Sequence, residues 1–308
     1  MIELEGLVKR YGKLTAVDGL SFTVQRGDAF GFIGPNGAGK TTTICMLATL
    51  LKPDAGTARI NGHDITKEPD AVKVCTGYMP DFFGVYDDMK VWEYLDFFAA
   101  AYRVPKRKRQ GLIGDVLELT DLTGKRGEYV DALSRGMKQR LCLAKTLIHD
   151  PEVLLLDEPA SGLDPRGRIE MRELLQELCK LNKTIIISSH ILTELAELCN
   201  TIGIIEQGKL VMAGSVKEIS ARLEGGRRLI VRVRDRAQEC CDLLATCPGI
   251  TEAAIGDGQI AAVYQGDPEE QHRVLSKLVL AGFEVQSFFE QEADLEDMYL
   301  RLTEGVVS

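Results

Sequence analysis

Three short apolar runs mark the N-terminal part of the chain, and each ends abruptly at polar or glycine-rich residues. They cover residues 29–33, 153–156 and 184–187. Runs of this length are too short for most helices and are typical of strands buried on both faces of a parallel sheet. Because parallel strands bring their carboxyl ends to one edge, we expect the residues that follow these runs to meet there.

A helical periodicity occupies the long interval between the first run and the second. Apolar residues recur at helical spacing over residues 91–102, 111–119 and 134–148. We therefore predict an inserted helical lobe, about residues 81–150, in an α/β core made of residues 1–77 and 151–215. Core and lobe together form a first domain over residues 1–220.

The pattern changes after Gly225-Gly226, and residues 227–308 are predicted to form a small α+β domain. Strands are indicated at residues 229–233, 251–255, 259–264 and 284–288, and helices at 238–245 and 269–280. Asp257-Gly258 is a hairpin signal. The order βαββαβ suggests a ferredoxin-like split βαβ unit, followed by a final helix at 295–302. Dimer stabilisation or regulation is the expected role of this domain, with ligand sensing as the alternative.

The most informative chemistry follows the first apolar run, where the chain reads Gly34-Pro35-Asn36-Gly37-Ala38-Gly39-Lys40-Thr41 and then enters a helix-forming segment at Thr42. Small residues let successive backbone N–H groups converge on an anion, and the helix N-terminus adds partial positive charge. Lys40 supplies a full positive charge, and Thr41 offers a hydroxyl to Mg²⁺. The segment predicts a P-loop whose nucleotide-binding residues are Asn36, Gly37, Ala38, Gly39, Lys40, Thr41 and Thr42.

Further motifs follow in a fixed order. They are Leu133-Ser134-Arg135-Gly136-Met137-Lys138-Gln139-Arg140, then Asp157-Glu158-Pro159, then Ser161-Gly162-Leu163-Asp164-Pro165, and finally Ser188-Ser189-His190. Taken singly, each has an ordinary structural explanation, since Asp-Glu after an apolar strand is common and a lone histidine is usually structural. Together with the P-loop and in this order, they resemble the ATP-binding subunits of ABC transporters over residues 1 to about 220.

The resemblance implies an ATPase that uses ATP and Mg²⁺. It also implies a head-to-tail dimer, because one chain carries one P-loop and one signature sequence and these lie on separate surfaces in the family. The implied roles are Mg²⁺ binding by Thr41 and Asp157, water activation by Glu158, charge stabilisation at the phosphates by Lys40 and His190, adenine stacking by Tyr11, contact with the partner's ATP by Ser134 and Gly136, and communication between the two sites by Asp164.

Two positions depart from the family pattern. The family commonly has glutamine where this chain has Asp81, in Tyr78-Met79-Pro80-Asp81. An ionised carboxylate can ligate Mg²⁺ but cannot donate a hydrogen bond, so Asp81 is a third candidate metal ligand and coupling is expected to be altered. Arg135 stands where the signature usually has glycine. We expect its side chain to lie alongside and leave Ser134 and Gly136 to contact the nucleotide.

Two features suggest partner surfaces. Aromatic residues crowd into residues 78–98, and the resemblance implies Phe82, Phe83 and Tyr86 as contacts for a short helix of a membrane-spanning permease. Packing within the lobe is the alternative for each. Pro105-Lys106-Arg107-Lys108-Arg109 separates the first two predicted helices. This basic run either touches anionic lipid headgroups or is a solvated helix start, and the sequence favours the solvated start.

Composition narrows the function classes. The chain has 308 residues, 45% of them hydrophobic, and no apolar run of the roughly 18 to 20 residues that a membrane span needs. A formal net charge of −9 argues against a general nucleic-acid binder. The eight cysteines form no C-x-x-C pair, so reduced, mostly buried thiols are expected. We expect a cytoplasmic location, peripheral to the inner face of the membrane through a permease.

The closing residues 294–303 resemble the end of bacterial exporter ATPases of the drug and antibiotic resistance type. Export through a separate permease is therefore the favoured function. An importer subunit, a soluble ABC ATPase without transport, and a nucleotide-gated binding module without turnover are the alternatives. The intact Glu158 and His190 disfavour the binding module.

Overall fold

The computed structural model describes residues 2–82, 84, 88–215, 218–219, 227–256, 258–267 and 270–291. The chain divides into two compact units, Met1–Val216 and Lys217–Ser308. The sequence placed the boundary somewhat later, at Gly225-Gly226, which lies outside the described residues.

Within the described residues, the strands of the first unit are β1 (Ile2–Tyr11), β2 (Leu14–Val24), β3 (Ala29–Ile33), β4 (Ala55–Ile60), β5 (His63–Asp64), β6 (Thr76–Met79), β7 (Val153–Asp157), β8 (Thr184–Ser189), β9 (Thr201–Glu206) and β10 (Lys209–Ser215). Its helices are α1 (Lys40–Leu47), α2 (Pro69–Cys75), α3 (Val91–Ala101), α4 (Lys106–Leu119), α5 (Arg135–Leu147), α6 (Pro165–Lys180) and α7 (Leu192–Leu198), with two single 3-10 turns at Thr123–Lys125 and Val130–Ala132.

A six-stranded sheet in the order β10-β9-β3-β8-β7-β6 forms the centre of the first unit. All neighbours in it are parallel except the β9–β10 hairpin. Strands β3, β7 and β8 are buried at every position, as their continuous apolar runs predict. The carboxyl ends of β3, β6, β7 and β8 therefore meet at one edge.

A second sheet, in the order β2-β1-β4-β5, is antiparallel throughout. Its apolar face packs with the central sheet and with α1 into one core, in which the rings of Phe22 and Phe30 stack with centroids 4.7 Å apart. This packing fixes β1 and β2 beside the P-loop. The end of β1, which carries Tyr11, is placed next to the site in consequence.

The inserted lobe consists of α3, α4 and α5. Its interior is formed by side chains that recur at helical spacing, among them Tyr94, Leu95, Ile113, Leu117 and Leu141. Apolar spacing indicated α4 only from residue 111, whereas the helix begins at Lys106. The basic run forms its first turn and is mostly exposed, which agrees with the favoured interpretation of this run as a helix start. Apolar periodicity could not reveal a turn made of charged residues.

The second unit contains, among its described residues, β11 (Arg227–Val233), α8 (Ala237–Ala245), β12 (Ile250–Gly256), β13 (Gln259–Tyr264), α9 (His272–Leu280) and β14 (Val285–Gln291). The strands pair antiparallel in the order β12-β13-β11-β14. Their apolar side chains form a core with α8 and α9 that includes Leu229, Cys240 and Leu278. The element order is the βαββαβ that the sequence predicts. The ferredoxin-like assignment stays a prediction, and the predicted helix at 295–302 lies outside the described residues.

No helix within the described residues has the length and apolar character needed to cross a membrane.

Candidate nucleotide-binding and catalytic site

The P-loop joins β3 to α1 at the edge where the central strands end. Gly37 and Gly39 have φ angles of 84° and 106°, which is backbone that side chains with a Cβ rarely adopt. At Gly39 a Cβ would also collide with the carbonyl oxygen of Ala16. Glycine therefore lets the loop curve closely over β2, with α1 beginning at Lys40. The N-terminus of α1 points its first N–H groups into the loop, which is the arrangement that binds phosphate.

Lys40 is only 6% exposed, and its charge is met by neighbouring oxygens. Its Nζ donates to the carbonyl oxygens of Gly34 at 2.6 Å and Pro35 at 3.3 Å. It also lies 3.5 Å from Oε1 of Glu158, which is itself largely buried. The lysine is thus held across the loop with a carboxylate beside it.

Asp157 and Glu158 follow one another at the end of β7, and Ser188 on β8 connects them. The Ser188 hydroxyl donates to Oδ1 of Asp157 at 2.5 Å and accepts from the backbone N–H of Glu158 at 2.9 Å. Glu158 has a φ of 49°, a left-handed conformation that costs a non-glycine residue roughly 1–2 kcal/mol. The bond from Ser188 helps to hold that conformation, which turns the Glu158 carboxylate toward Lys40.

Asp157 is almost completely buried, and its second oxygen, Oδ2, has no hydrogen-bond partner among the residues that the structure describes. Burial raises the pKa of this carboxyl, and the nearby charge of Asp81 acts in the same direction, whereas bonds from Ser188 and Thr41 and the charge of Lys40 oppose the rise. A buried acceptor without a donor is costly unless something else occupies the position. Thr41 bonds Asp157, and the charge of Asp81 acts on it, so both of the other predicted metal ligands lie near this carboxyl group.

His190 follows β8 and completes the row of charged groups. Its Nδ1 lies 2.9 Å from Oε2 of Glu158, and about half of its side chain is exposed. Glu158 therefore contacts Lys40 through one oxygen and His190 through the other. The exposed side of the imidazole faces the open cleft.

A cavity of about 380 Å³ lies over this row. Its lining includes most of the predicted site residues, namely Tyr11, Asn36, Gly37, Gly39, Lys40, Thr41, Thr42, Asp81, Glu158 and His190. Ala38 is buried beneath the loop and does not line the cavity. Tyr11 is half exposed at the cavity mouth, with Nζ of Lys9 5.8 Å from the centre of its ring. Leu14 and Ala16, which the sequence did not indicate, also line it, as do Pro35 of the P-loop segment and Ser161 of the motif after Glu158.

The signature residues lie elsewhere on the unit. Ser134 is the N-cap of α5, where its hydroxyl accepts from the N–H of Met137 at 3.3 Å, and Gly136 is in the first turn. Asp164 caps α6 by accepting from the N–H of Gly167 at 2.8 Å. None of the three lines the cavity. The structure therefore does not bring them to the P-loop of the same chain.

Arg135 lies against the segment that follows Glu158. Its guanidinium is 3.5 Å from the carbonyl oxygen of Ser161 and occupies the space that a side chain at residue 162 would need. Gln139, one turn further along α5, donates to the buried carbonyl of Pro159. Two side chains of α5 thus contact residues 159–162, which the sequence did not indicate.

Together, a P-loop, a buried aspartate, a glutamate and a histidine at one sheet edge define a P-loop nucleotide hydrolase. The comparisons with known proteins agree. Residues 17–161 match the family model described as ABC transporter. The chain is 36% identical over 304 residues to Nod factor export ATP-binding protein I of Ralstonia nicotianae, covering 98% of this chain and 94% of the relative. It is 34% identical to daunorubicin/doxorubicin resistance ATP-binding protein DrrA of Streptomyces peucetius, covering 98% and 92%.

Among solved structures, CbiO1 of Clostridium perfringens, described as part of the ABC transporter complex CbiONQ, aligns with a TM-score of 0.64 and 27% identity. The alignment covers 71% of this chain and 90% of that one. The chain belongs to the ABC transporter family, as one of its ATP-binding proteins. The resemblance, the α/β P-loop fold with an inserted helical lobe, and ATP hydrolysis are thereby confirmed.

Proposed function

We propose that the chain is the ATP-hydrolysing subunit of an exporter. In this proposal two copies form a head-to-tail dimer around ATP, and the dimer drives transport through a separate membrane permease on the inner face of the membrane. The observation that carries the proposal is the unbroken row Lys40, Glu158 and His190 above the buried Asp157. In one cleft, Lys40 would bind phosphate, Glu158 would act as the base, and His190 would donate a hydrogen bond to the γ-phosphate.

The residues present fit a magnesium ion. The unpaired, buried Oδ2 of Asp157 is a hard oxygen donor, and the Thr41 hydroxyl and the Asp81 carboxylate add the same donor type. In the proposal Thr41 and Asp157 would hold Mg²⁺, and Asp81 would contribute a further oxygen. A metal ion held by these residues would supply positive charge to offset the negative charge of the ATP phosphates.

The protein's own groups then account for hydrolysis. When the γ-phosphate enters, Lys40 exchanges its contact with Glu158 for phosphate oxygens. Glu158, released from the lysine, accepts a proton from a water molecule whose oxygen attacks the γ-phosphorus, and the bond to the β–γ bridging oxygen breaks to give ADP and phosphate. His190 fixes the carboxylate through Nδ1 and presents its other ring nitrogen to the γ-phosphate.

The proposed dimer explains why the signature residues lie away from the cavity. Ser134 and Gly136 are at the N-terminus of α5, whose N–H groups and dipole favour an anion. In a twofold head-to-tail dimer, each signature would close over the ATP held by its partner's Lys40, so both sites are completed together. Asp164, which caps α6 a few residues after Glu158, would transmit the state of one site to the other.

The permease and the direction of transport rest on the relatives and on one surface. The similar proteins are named for export of Nod factor and for daunorubicin and doxorubicin resistance, which favours export over import for this chain. CbiO1 is described as part of a larger transporter complex. Phe82 is 89% exposed and is suited to a partner's apolar surface, whereas Phe83 and Tyr86 lie outside the described residues.

The proposal is tested by Mg²⁺-dependent ATP hydrolysis of the wild type beside Glu158→Gln. The variant keeps the shape of the side chain but cannot accept the proton from water, so we expect turnover to fall at least 100-fold, roughly 3 kcal/mol in the barrier. Light scattering should detect ATP-dependent dimers that persist in the variant and dissociate in the wild type as ATP is consumed.

A matched control is Glu152→Gln, an exposed glutamate just before β7 that pairs with Arg26. It should hydrolyse ATP like the wild type. A wild type that binds ATP without turnover would favour the nucleotide-gated binding module, and equal turnover in Glu158→Gln would remove Glu158 from the mechanism.

A further inference from the structure

The strongest charge anomaly outside the nucleotide site is on the helical lobe. The chain carries a net charge of −9, yet residues 97–114 contain five basic residues and no acidic one. Four of the five, Arg103, Lys106, Arg107 and Lys108, are exposed, and we call them the basic patch. Three of them form the first turn of α4.

The fifth cation, Arg109, has a structural role that separates it from the patch. Its Nε donates to the carbonyl oxygen of Val104 at 2.8 Å, and its guanidinium pairs with Asp96 at 3.6 Å. These contacts close the turn between α3 and α4. By contrast, no ion pair joins a patch side chain to another residue within the part of the chain that the structure describes.

Helix stability does not account for the patch. The N-terminus of a helix carries partial positive charge, so cations in the first turn are unfavourable and acidic residues are preferred there. The first turn of α4 holds no acidic residue, and Pro105 at the N-cap position has no side-chain acceptor to offer. Three consecutive residues of α4 go against this preference for acidic residues, and no ion pair within the described residues compensates for them. Such a departure from helix preference is typical of a functional surface.

The helix end and the side chains act in the same direction on an incoming anion. The N–H groups of the first turn and the side-chain charges all attract negative groups. The patch is exposed, with long flexible side chains, which suits an extended anionic surface better than a single small ligand held in a pocket. A bilayer meets only the face turned toward it, so the acidic remainder of the chain can face away.

We propose that the basic patch binds the anionic phospholipid headgroups of a membrane surface. The inference rests on the proposed function only in placing the lobe near a bilayer. It does not depend on ATP hydrolysis. A basic residue near an anionic bilayer strengthens binding by about fivefold, so three of them contribute on the order of 100-fold.

The test is sedimentation of the full-length chain with vesicles of phosphatidylcholine and phosphatidylglycerol at about three to one, beside phosphatidylcholine alone, without nucleotide. We expect binding to the anionic vesicles only, falling steeply with added salt. The triple variant K106Q/R107Q/K108Q should lose at least tenfold in binding. Glutamine is a good helix former, so α4 should persist, and ATP hydrolysis should match the wild type.

The matched control is K67Q/K73Q/K209Q, which removes three exposed charges of the first unit outside the lobe. It should lose less than threefold. Equal losses in the two triple variants would overturn the proposal, as would a wild type that binds neutral vesicles as well as anionic ones. Release from vesicles by millimolar inorganic phosphate, or binding to a single-stranded oligonucleotide in place of vesicles, would also overturn it. An inactive wild type that still binds anionic vesicles would contradict only the proposed function.

Discussion

At the scale of single residues, Ser188 positions two residues of the site with one hydroxyl group. It is completely buried at the end of β8, and its one hydroxyl bonds both the Asp157 carboxylate and the Glu158 backbone. It therefore orients a metal ligand and the base at the same time. We regard Ser188 as a positioning residue, because it touches neither water nor phosphate in the proposed mechanism.

Replacing Ser188 with alanine should lower turnover about tenfold, because a lost hydrogen bond to a charged group costs about 1.5–3 kcal/mol, only part of it in the transition state. The Mg²⁺ concentration for half-maximal activity should rise, since Asp157 loses its orienting donor. Thr184→Val is the matched control. Thr184 is also buried on β8 and bonds the N–H of Gly27 at 3.0 Å, but at the opposite end of the strand. The Thr184→Val variant should be less stable than the wild type but should hydrolyse ATP with unchanged kinetics. Equal kinetics in both variants would contradict the role of Ser188.

Asp157 makes the nucleotide-free site unstable in a pH-dependent way. Burial raises its pKa above that of an unfolded aspartate, so the folded chain holds the proton more tightly. The associated stability is present at low pH and is lost as pH rises through the raised pKa. Asp157→Asn should therefore raise Tm at neutral pH without nucleotide or Mg²⁺, while abolishing hydrolysis.

The gain in Tm from Asp157→Asn should shrink as the pH is lowered, which scanning calorimetry between pH 4 and pH 8, roughly spanning the titration, would measure. Asp70→Asn, at an exposed aspartate of α2, serves as the control and should show no gain at any pH. A gain for Asp157→Asn that is independent of pH would indicate a packing effect instead of a charge effect.

At the scale of elements, α5 is tied to α6 through Arg140. This arginine is 17% exposed and bonds Glu170 of α6 at 2.9 Å and Asp121, after α4, at 3.1 Å. Glu170 also accepts from Arg166 at 3.0 Å within α6. With Gln139 and Arg135, these contacts connect the start of α5 to α6 and to the segment after Glu158.

A double-mutant cycle measures this connection between helices. Arg140→Ala and Glu170→Ala should each lower the free energy of unfolding by about 1 kcal/mol, and the double variant should fall short of their sum by about 0.5–1 kcal/mol. The cycle of Arg166→Ala with Glu170→Ala is the control, because Arg166 is largely exposed and the pair lies within one helix. Its coupling should be no more than about 0.5 kcal/mol. Additive effects of Arg140 and Glu170 would contradict the connection.

The same scale shows what sequence could reveal. The bounds of β3 and β7 follow from the sequence to within a residue, because fully buried strands leave continuous apolar runs with polar ends. The start of α4 did not follow from apolar spacing, because charged residues carry no apolar period, and only the basic run after Pro105 indicated it. The contacts of Arg135 with residues 161 and 162 depend on how a long side chain folds back across two loops. No local pattern records such a contact.

The site residues divide in the same way. Lys40, Glu158 and His190 could be predicted to meet because each ends or follows a parallel strand, and the sheet aligns those ends. Ser188 was hidden as one more polar residue at a strand end, although its register opposite Asp157 on β8 is the signal that identifies it. Ser134 and Gly136 do not line the cavity over the P-loop of their own chain, so their contact with nucleotide stays a prediction.

At the scale of the whole molecule, each unit has its own core, and buried cysteines report on both. Cys142 lies inside the first unit, and Cys240, Cys241 and Cys247 lie inside the second. Burial raises the pKa of Cys240 to about 11, with its two neighbouring thiols adding to the effect. Cys240, and Cys142, whose pKa is also raised by burial, should therefore resist alkylation at pH values near 8 while the chain is folded.

Pulsed alkylation with iodoacetamide across a urea series, read by peptide mass spectrometry, should give different midpoints for Cys142 and Cys240. Leu229→Ala removes a completely buried side chain from the second core and should lower the free energy of unfolding of that unit by about 2–4 kcal/mol. The urea midpoint of Cys240 should therefore fall, while that of Cys142 stays the same. Leu141→Ala is the converse control in the first unit. Coincident midpoints that shift together in both variants would show that the two units unfold as one.

Lys40 and Glu158 are both largely buried, and pairing two opposite charges avoids the cost of burying either one alone. In the proposed mechanism, the γ-phosphate of ATP replaces the Glu158 carboxylate as the partner of Lys40. Binding of ATP and release of the base for catalysis are then a single exchange of anions at one ammonium group. ADP has no γ-phosphate, so in this mechanism it leaves the pair between Lys40 and Glu158 intact.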